Sequence, residues 1–94
     1  MKTKQIHDVR QIRKKLGLNQ KDFWGAIGVT QSGGSRYESG GNMPVQVNEL
    51  LRLVYIEKID LLKVNRNDLE VGRRLKQLNA GQYKEILQSI DKDD

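Results

Sequence analysis

The 94-residue chain holds 17 Lys and Arg against 12 Asp and Glu, a net charge of +5, with 36% hydrophobic and 31% charged residues. That length fits one small domain with at most a short appendage, and leaves little room for a large substrate cavity. No cysteine is present and His7 is the single histidine, which excludes disulfides, thiolate metal sites, cysteine nucleophiles and any His-rich zinc centre; no run is long and apolar enough for a membrane span or a signal peptide, so a cytoplasmic location is expected.

In chain order, residues 5–16 read as a helix with Ile6, Val9, Ile12 and Leu16 near one face and Arg10, Arg13, Lys14 and Lys15 over much of the rest. Gly17 suits a left-handed cap that ends it. Asn19 is an N-cap for a second helix over 20–27, with Asp22 in its first turn and Phe23, Trp24 and Ile27 as its apolar face. Gly28 stops that helix, and Thr30 caps a third one over 31–39. On propensity alone this third segment reads as a loop, because Gly33 and Gly34 cost roughly 1 kcal/mol each relative to alanine. Gly40 and Gly41 close it.

Pro44 opens a fourth helix whose buried face is Val47, Leu50, Leu51 and Val54. The connector from Ile59 to Val64 is apolar-rich and its structure stays open at this stage. Asn67 or Asp68 is expected to cap a fifth helix with Leu69, Gly72, Leu75 and Leu78 along one face, and Asn79-Ala80-Gly81 to break the pattern. A sixth helix over 82–90 places Tyr83, Ile86, Leu87 and Ile90 at helical spacing, before an acidic tail, Asp91, Asp93 and Asp94, that is expected to fray. No segment alternates as a strand does, so the fold class is all-α.

The charge is concentrated early. Residues 1–50 hold eight basic and four acidic side chains, and within residues 1–21 the ratio is seven to one, the acid being Asp8. Such a segment suits an anionic partner, with a solvated basic face as the alternative.

Two short helices joined by a glycine-containing tight turn suggest a helix-turn-helix. The stretch LGLNQKDFWGAIGVTQSGGSRYESGGNMP resembles the helix-turn-helix of the lambda-repressor and Cro-type (XRE-like) family. The matching residues are the Leu-Gly-Leu lead-in, Gln20, the turn glycine Gly28, Thr30 with Gln31, and Ser35-Arg36-Tyr37-Glu38 followed by Ser39-Gly40. The resemblance covers residues 6–56 and implies a domain of about four helices over 1–56, with the motif at 20–39; residues 57–94 fall outside it and read, from their own periodicity, as a C-terminal two-helix extension.

On that reading Gln31, Ser32, Ser35 and Arg36 contact bases in the major groove, a Gln amide being able to pair with adenine N6 and N7. Gln20, Lys21, Lys14, Lys15 and Asn42 contact phosphates, Gln20 from a helix N-terminus. Each has a plainer alternative: Gln20 as an aid to its helix start, Ser32 and Ser35 as solvent-facing residues, Arg36 as a surface charge or phosphate clamp. The resemblance also implies an inward Tyr37 and a structural ion pair between Arg13 and Glu38. His7 reads as a surface residue.

Two positions depart from the family pattern. A small residue is usual where Trp24 stands, and an aliphatic one where Gly34 stands. If the indole fills the space left at Gly34, core volume is conserved and Trp24 ring atoms should lie within ~4.5 Å of the Gly34 backbone. The two glycines also raise the expectation of a third helix that is partly frayed without DNA.

The function expected is a sequence-specific, double-stranded DNA-binding transcriptional regulator, a dimeric repressor that needs neither catalysis nor a cofactor or metal. Residues 57–94 are too small to bury both faces of a hairpin, so they are expected to dock on the first four helices, on a second copy as a homodimer, or on another protein. Arg73, Arg74 and Lys76 there read as a solvated face diluted by Asp68 and Glu70. The alternative function is an antitoxin or other protein-interaction module with an autoregulatory helix-turn-helix.

Overall fold

The computed structural model of the chain describes residues 8–93, with side chains as far as Ile90. The expectations for Ile6, His7, the helix start at residue 5 and Asp94 lie outside the described residues. The chain divides into two compact units, Met1–Ile59 and Asp60–Asp94. All regular structure among the described residues is helical, as expected.

In the first unit α1 spans Val9–Lys15, α2 Gln20–Gly25, α3 Gln31–Glu38 and α4 Val45–Leu51. The caps explain most of these bounds. Gly17 takes φ +72° just after α1. Asn19 accepts the Asp22 amide at 2.7 Å, and Thr30 Oγ1 accepts the Gly33 amide at 3.1 Å, each satisfying a donor that a helix start leaves without an intrahelical partner. Gly28 sits at φ +78° in the tight turn between α2 and α3, where Val29 donates back to the Trp24 carbonyl at 3.0 Å. The second helix is therefore shorter than the 20–27 expected, and Ile27 is buried from the turn instead.

Pro44 precedes α4 as its cap residue. The helix then runs on as a π-helical turn over Arg52–Ile56, which the sequence pattern does not announce. That turn carries Tyr55, whose ring stacks on Phe23 with centroids 4.1 Å apart and whose hydroxyl donates to the Phe23 carbonyl at 2.5 Å.

The core is Val9, Phe23, Trp24, Ile27 and Leu51, with Ile12, Leu18, Tyr37, Val47, Leu50 and Val54 packed partly against it. Leu16 is a correction: it follows the end of α1 as its C-cap and is 50% exposed, while Leu18, beyond Gly17, packs against the core instead. Asn48 is buried in α4 among the apolar positions.

In the second unit α5 spans Arg66–Leu78 and α6 Ala80–Asp93. The cap of α5 is Asn65, not Asn67 or Asp68: its Oδ1 accepts the Asp68 amide at 2.9 Å while its amide donates to the Asp68 carboxylate at 2.9 Å. The break between the two helices is one residue, Asn79, with Ala80 and Gly81 already helical because Asn79 Oδ1 accepts the Gln82 amide at 3.1 Å. The backbone at Asp91 and Asp93 is helical, against the expectation of a frayed tail.

Candidate nucleic-acid interface

The third helix exists in spite of its glycines because of what α2 presents to it. Gly33 and Gly34 are both buried, and Trp24 is fully so. A Cβ built on Gly34 would overlap Cδ1 and Cγ of the indole and lie 2.5 Å from its Nε1. The indole therefore lies directly on the Gly34 backbone, within the ~4.5 Å contact expected from the paired departures at positions 24 and 34. Burial of one tryptophan offsets the helix propensity that two glycines forgo.

That geometry leaves the indole N–H in the interior, where a donor needs a partner. Glu38, in the last turn of α3, supplies it: Oε2 accepts from Trp24 Nε1 at 2.7 Å. The same carboxylate accepts from Arg13 Nε at 2.9 Å and Nη2 at 3.0 Å, from Gln20 Nε2 at 3.3 Å and from Arg10 Nε at 3.4 Å. Its side chain is 0% exposed. Burial works to raise the Glu38 pKa, but the hydrogen bonds from Arg13, Trp24 and Gln20 and the Arg13 charge outweigh it and bring the value down to about 2. Arg13 also donates to the Leu18 carbonyl at 3.0 Å, so one guanidinium ties α1 to α3 and to the lead-in of α2. The Arg13–Glu38 pair is thus present, as the resemblance implies, and Trp24, Gln20 and Arg10 join it.

With Gly33, Gly34 and Tyr37 turned toward the core, helical geometry places Gln31, Ser35, Ser32 and Arg36 on the opposite arc of α3. Gln31, Ser32 and Arg36 are exposed and Ser35 is half-buried. A shallow depression is lined by Gln20, Gln31, Ser32 and Ser35, and a neighbouring one by Lys21, Thr30 and Gln31 among others. Arg36 and Asn42 line a third, with Gly41 and Pro44, formed where Gly40 at φ +101° turns the chain out of α3.

The first two of these depressions gather five of the expected DNA-contacting residues, Gln20, Lys21, Gln31, Ser32 and Ser35, and the third holds Arg36 and Asn42. Lys14 and Lys15 stand exposed in the last turn of α1 and line none of the three. Gln20 has an internal role that its sequence context does not announce, since its amide nitrogen is engaged by Glu38. Among the described residues no group of histidines and carboxylates is placed to hold a metal ion. None of the helices described is long and apolar enough to cross a membrane.

Residues 10–54 match the family model of the RsaL-like HTH domain. The match supports a helix-turn-helix DNA-binding domain and, in general terms, a DNA-binding regulator; it does not single out the Cro-type family that the motif resembles. No curated protein and no solved structure matches the chain.

Proposed function

We propose, on the premise of a helix-turn-helix DNA-binding domain at residues 10–54, that the chain is a sequence-specific transcriptional repressor that reads the major groove with α3. The observation that carries this reading is the division of α3 itself. Its glycines are spent on the core, while its polar side chains, Gln31, Ser32, Ser35 and Arg36, share the outward arc. A Gln amide and a guanidinium offer bidentate hydrogen bonding to adenine and guanine respectively, and the serines reach bases or phosphates.

Lys21 beside α3, with Lys14, Lys15 and Asn42, would neutralise or bind phosphates, as would the backbone at the start of α2 that Gln20 opens. Arg13 and Glu38 hold α3 against α1 and stay out of the interface. Binding proceeds without catalysis, cofactor or metal, in the cytoplasm, and promoter occupancy alone accounts for repression.

Selection from random-sequence duplexes at ~150 mM salt, where loose electrostatic binding is suppressed, tests the reading. Enrichment of a defined sequence supports it. Folded protein that enriches nothing refutes it.

A second reading is an antitoxin or other protein-interaction module in which the helix-turn-helix serves autoregulation. It is favoured by the apolar side chains that residues 60–90 leave exposed, Leu62 and Leu78 above all, at 96% and 84%.

A further inference from the structure

The side of α5 turned away from α6 is rich in arginine. Gly72 and Leu75 are half-buried and Lys76 lies over the Tyr83 ring, with Nζ 5.6 Å from its centroid, so this side of α5 meets α6, where an apolar stripe runs from Tyr83 to Ile90. Diametrically opposite, at about 100° per residue, Arg73, Arg66, Gln77, Glu70 and Arg74 follow one another around an arc of about 100°. All of them are exposed except the half-buried Glu70. Asp68, which in the sequence dilutes the local charge, is not on this arc: it lies about 20° from Leu75, and its carboxylate accepts from the Asn65 amide at 2.9 Å within the helix cap.

The arc therefore holds three guanidinium groups against one carboxylate. Glu70 accepts from Arg73 Nη2 at 2.7 Å, which occupies one of the donors on that guanidinium and leaves the others open. Arg74 Nε stands 4.0 Å from the same oxygen, beyond hydrogen-bond reach, and Arg66 makes no ion pair among the described residues. A shallow depression is lined by Arg66, Asn67, Glu70 and Arg74 among others. Residues 60–94 carry seven basic and seven acidic side chains, so the arc is a local concentration of charge on a unit that is neutral as a whole.

We infer that this arc is a second contact to DNA, binding backbone phosphates of the duplex that the first unit holds. The inference rests on the DNA-binding reading of residues 10–54. Two observations select the occupant. The first is chemistry: guanidinium groups flanked by the side-chain amides of Asn67 and Gln77 form a donor set suited to phosphate oxygens, and the arc offers no apolar anchor of the kind a protein partner would bury. The second is the tether. The nine residues from Glu57 to Asn65 carry no helix and join α5 to the helix-turn-helix domain. Fully extended they span ~30 Å. DNA held by the first unit is thus presented to the second at an effective concentration on the order of millimolar, at which a weak contact contributes to binding.

Fluorescence anisotropy of a labelled random-sequence duplex of ~30 base pairs, titrated with the full chain between ~50 and ~200 mM salt, tests the contact without knowledge of an operator. The double variant Arg66→Gln, Arg74→Gln should lower the slope of log K against log salt by about two, each phosphate contact being worth about 0.9. Glu70→Gln, which removes the one carboxylate of the arc, should tighten binding. Lys84→Gln, which takes a charge from α6, should keep the wild-type slope. None of these side chains belongs to the core, and circular dichroism should show helix content retained. A wild-type slope in the double variant overturns the inference and leaves the arc to an acidic protein. A Glu70→Gln protein that binds no tighter, or a Lys84→Gln loss as large as that of one arginine, overturns it too. All three outcomes leave DNA binding by the first unit standing, whereas a wild-type chain that binds no duplex overturns both readings.

Discussion

Trp24 and Glu38 meet across the two helices of the motif, the indole N–H donating to Oε2 at 2.7 Å with both side chains fully buried. This bond links two features that look unrelated in the sequence. An indole placed on a bare backbone solves a packing problem and creates a polar one, the buried N–H. The carboxylate that already anchors Arg13 removes it. Glu38, in α3, is therefore the point at which α1, α2 and α3 are joined, its donors coming from Arg10 and Arg13 in α1 and from Gln20 and Trp24 in α2.

The adjacent glycines of α3 should respond to alanine differently. At Gly34 the new Cβ has nowhere to go, because the overlapping atoms belong to a fully buried ring. Overpacking of about 1–3 kcal/mol should exceed the helix-propensity gain of about 1 kcal/mol, and thermal unfolding should show a lower midpoint. At Gly33 the nearest atoms are Thr30 Oγ1 at 3.2 Å and Val29 Cγ1 at 3.3 Å, side-chain ends that can give by a few tenths of an ångström. Gly33→Ala should leave stability within about 1 kcal/mol of wild type.

Restoring the residue sizes usual in the family tests the pairing directly. Gly34→Val alone should be strongly destabilised by overlap with the indole. Trp24→Ala alone should lose about 3–5 kcal/mol through its cavity. The double substitution should be more stable than Gly34→Val, with a favourable coupling of about 1–3 kcal/mol in denaturant unfolding. Additive losses would mean that the two residues do not share one volume.

Glu38 should make the first unit acid-sensitive over a defined range. Its pKa is lowered from the ordinary 4.5 to about 2 in the folded chain. A carboxyl depressed in this way stabilises the fold fully above its unfolded value, and the contribution is lost as pH falls through the folded one. The loss should thus run from about 4.5 down to about 2. A carboxyl-carbon NMR titration of Glu38 should give a midpoint far below the ordinary 4.5. A midpoint near 4.5 would contradict the network described.

DNA binding should separate base reading from backbone contact. Gln31→Ala should lower discrimination by roughly 1–3 kcal/mol at one base step, measured against a panel of single-base operator changes. Equal loss on every sequence would make Gln31 a backbone contact. Lys21→Ala should weaken all duplexes alike and reduce the slope of log K against log salt by about one.

Much of the motif was legible because its signals are local. The caps at Asn19 and Thr30, the left-handed glycines 17 and 28, and the apolar trio Phe23, Trp24 and Ile27 each depend on neighbours a few residues away. The compensation between Trp24 and Gly34 was legible too, since a departure from a family pattern in one direction asks for another in the opposite direction. The Trp24 and Gln20 bonds to Glu38 span 14 and 18 residues and exist only once the helices approach. The cap of α5 was misplaced because Asn65, Asn67 and Asp68 are all competent cappers, and only the backbone path chooses among them. At the candidate interface, Gln31, Ser32 and Arg36 were expected from the family resemblance, and helical period explains their outward placement once Gly33 and Gly34 face the core.

Asn79 is all that lies between α5 and α6, so their mutual setting depends on one residue's pair of dihedrals, φ −149° and ψ 78°. Adding or deleting a residue within the first turn of α6 would rotate its remaining side chains by about 100° around the axis. The stripe from Tyr83 to Ile90 would then leave the side shared with α5. Substitutions in this corner are open to drift, but changes of length are not. The stretch from Glu57 to Val64, free of helix, is where the chain has latitude to grow or shrink between its two units.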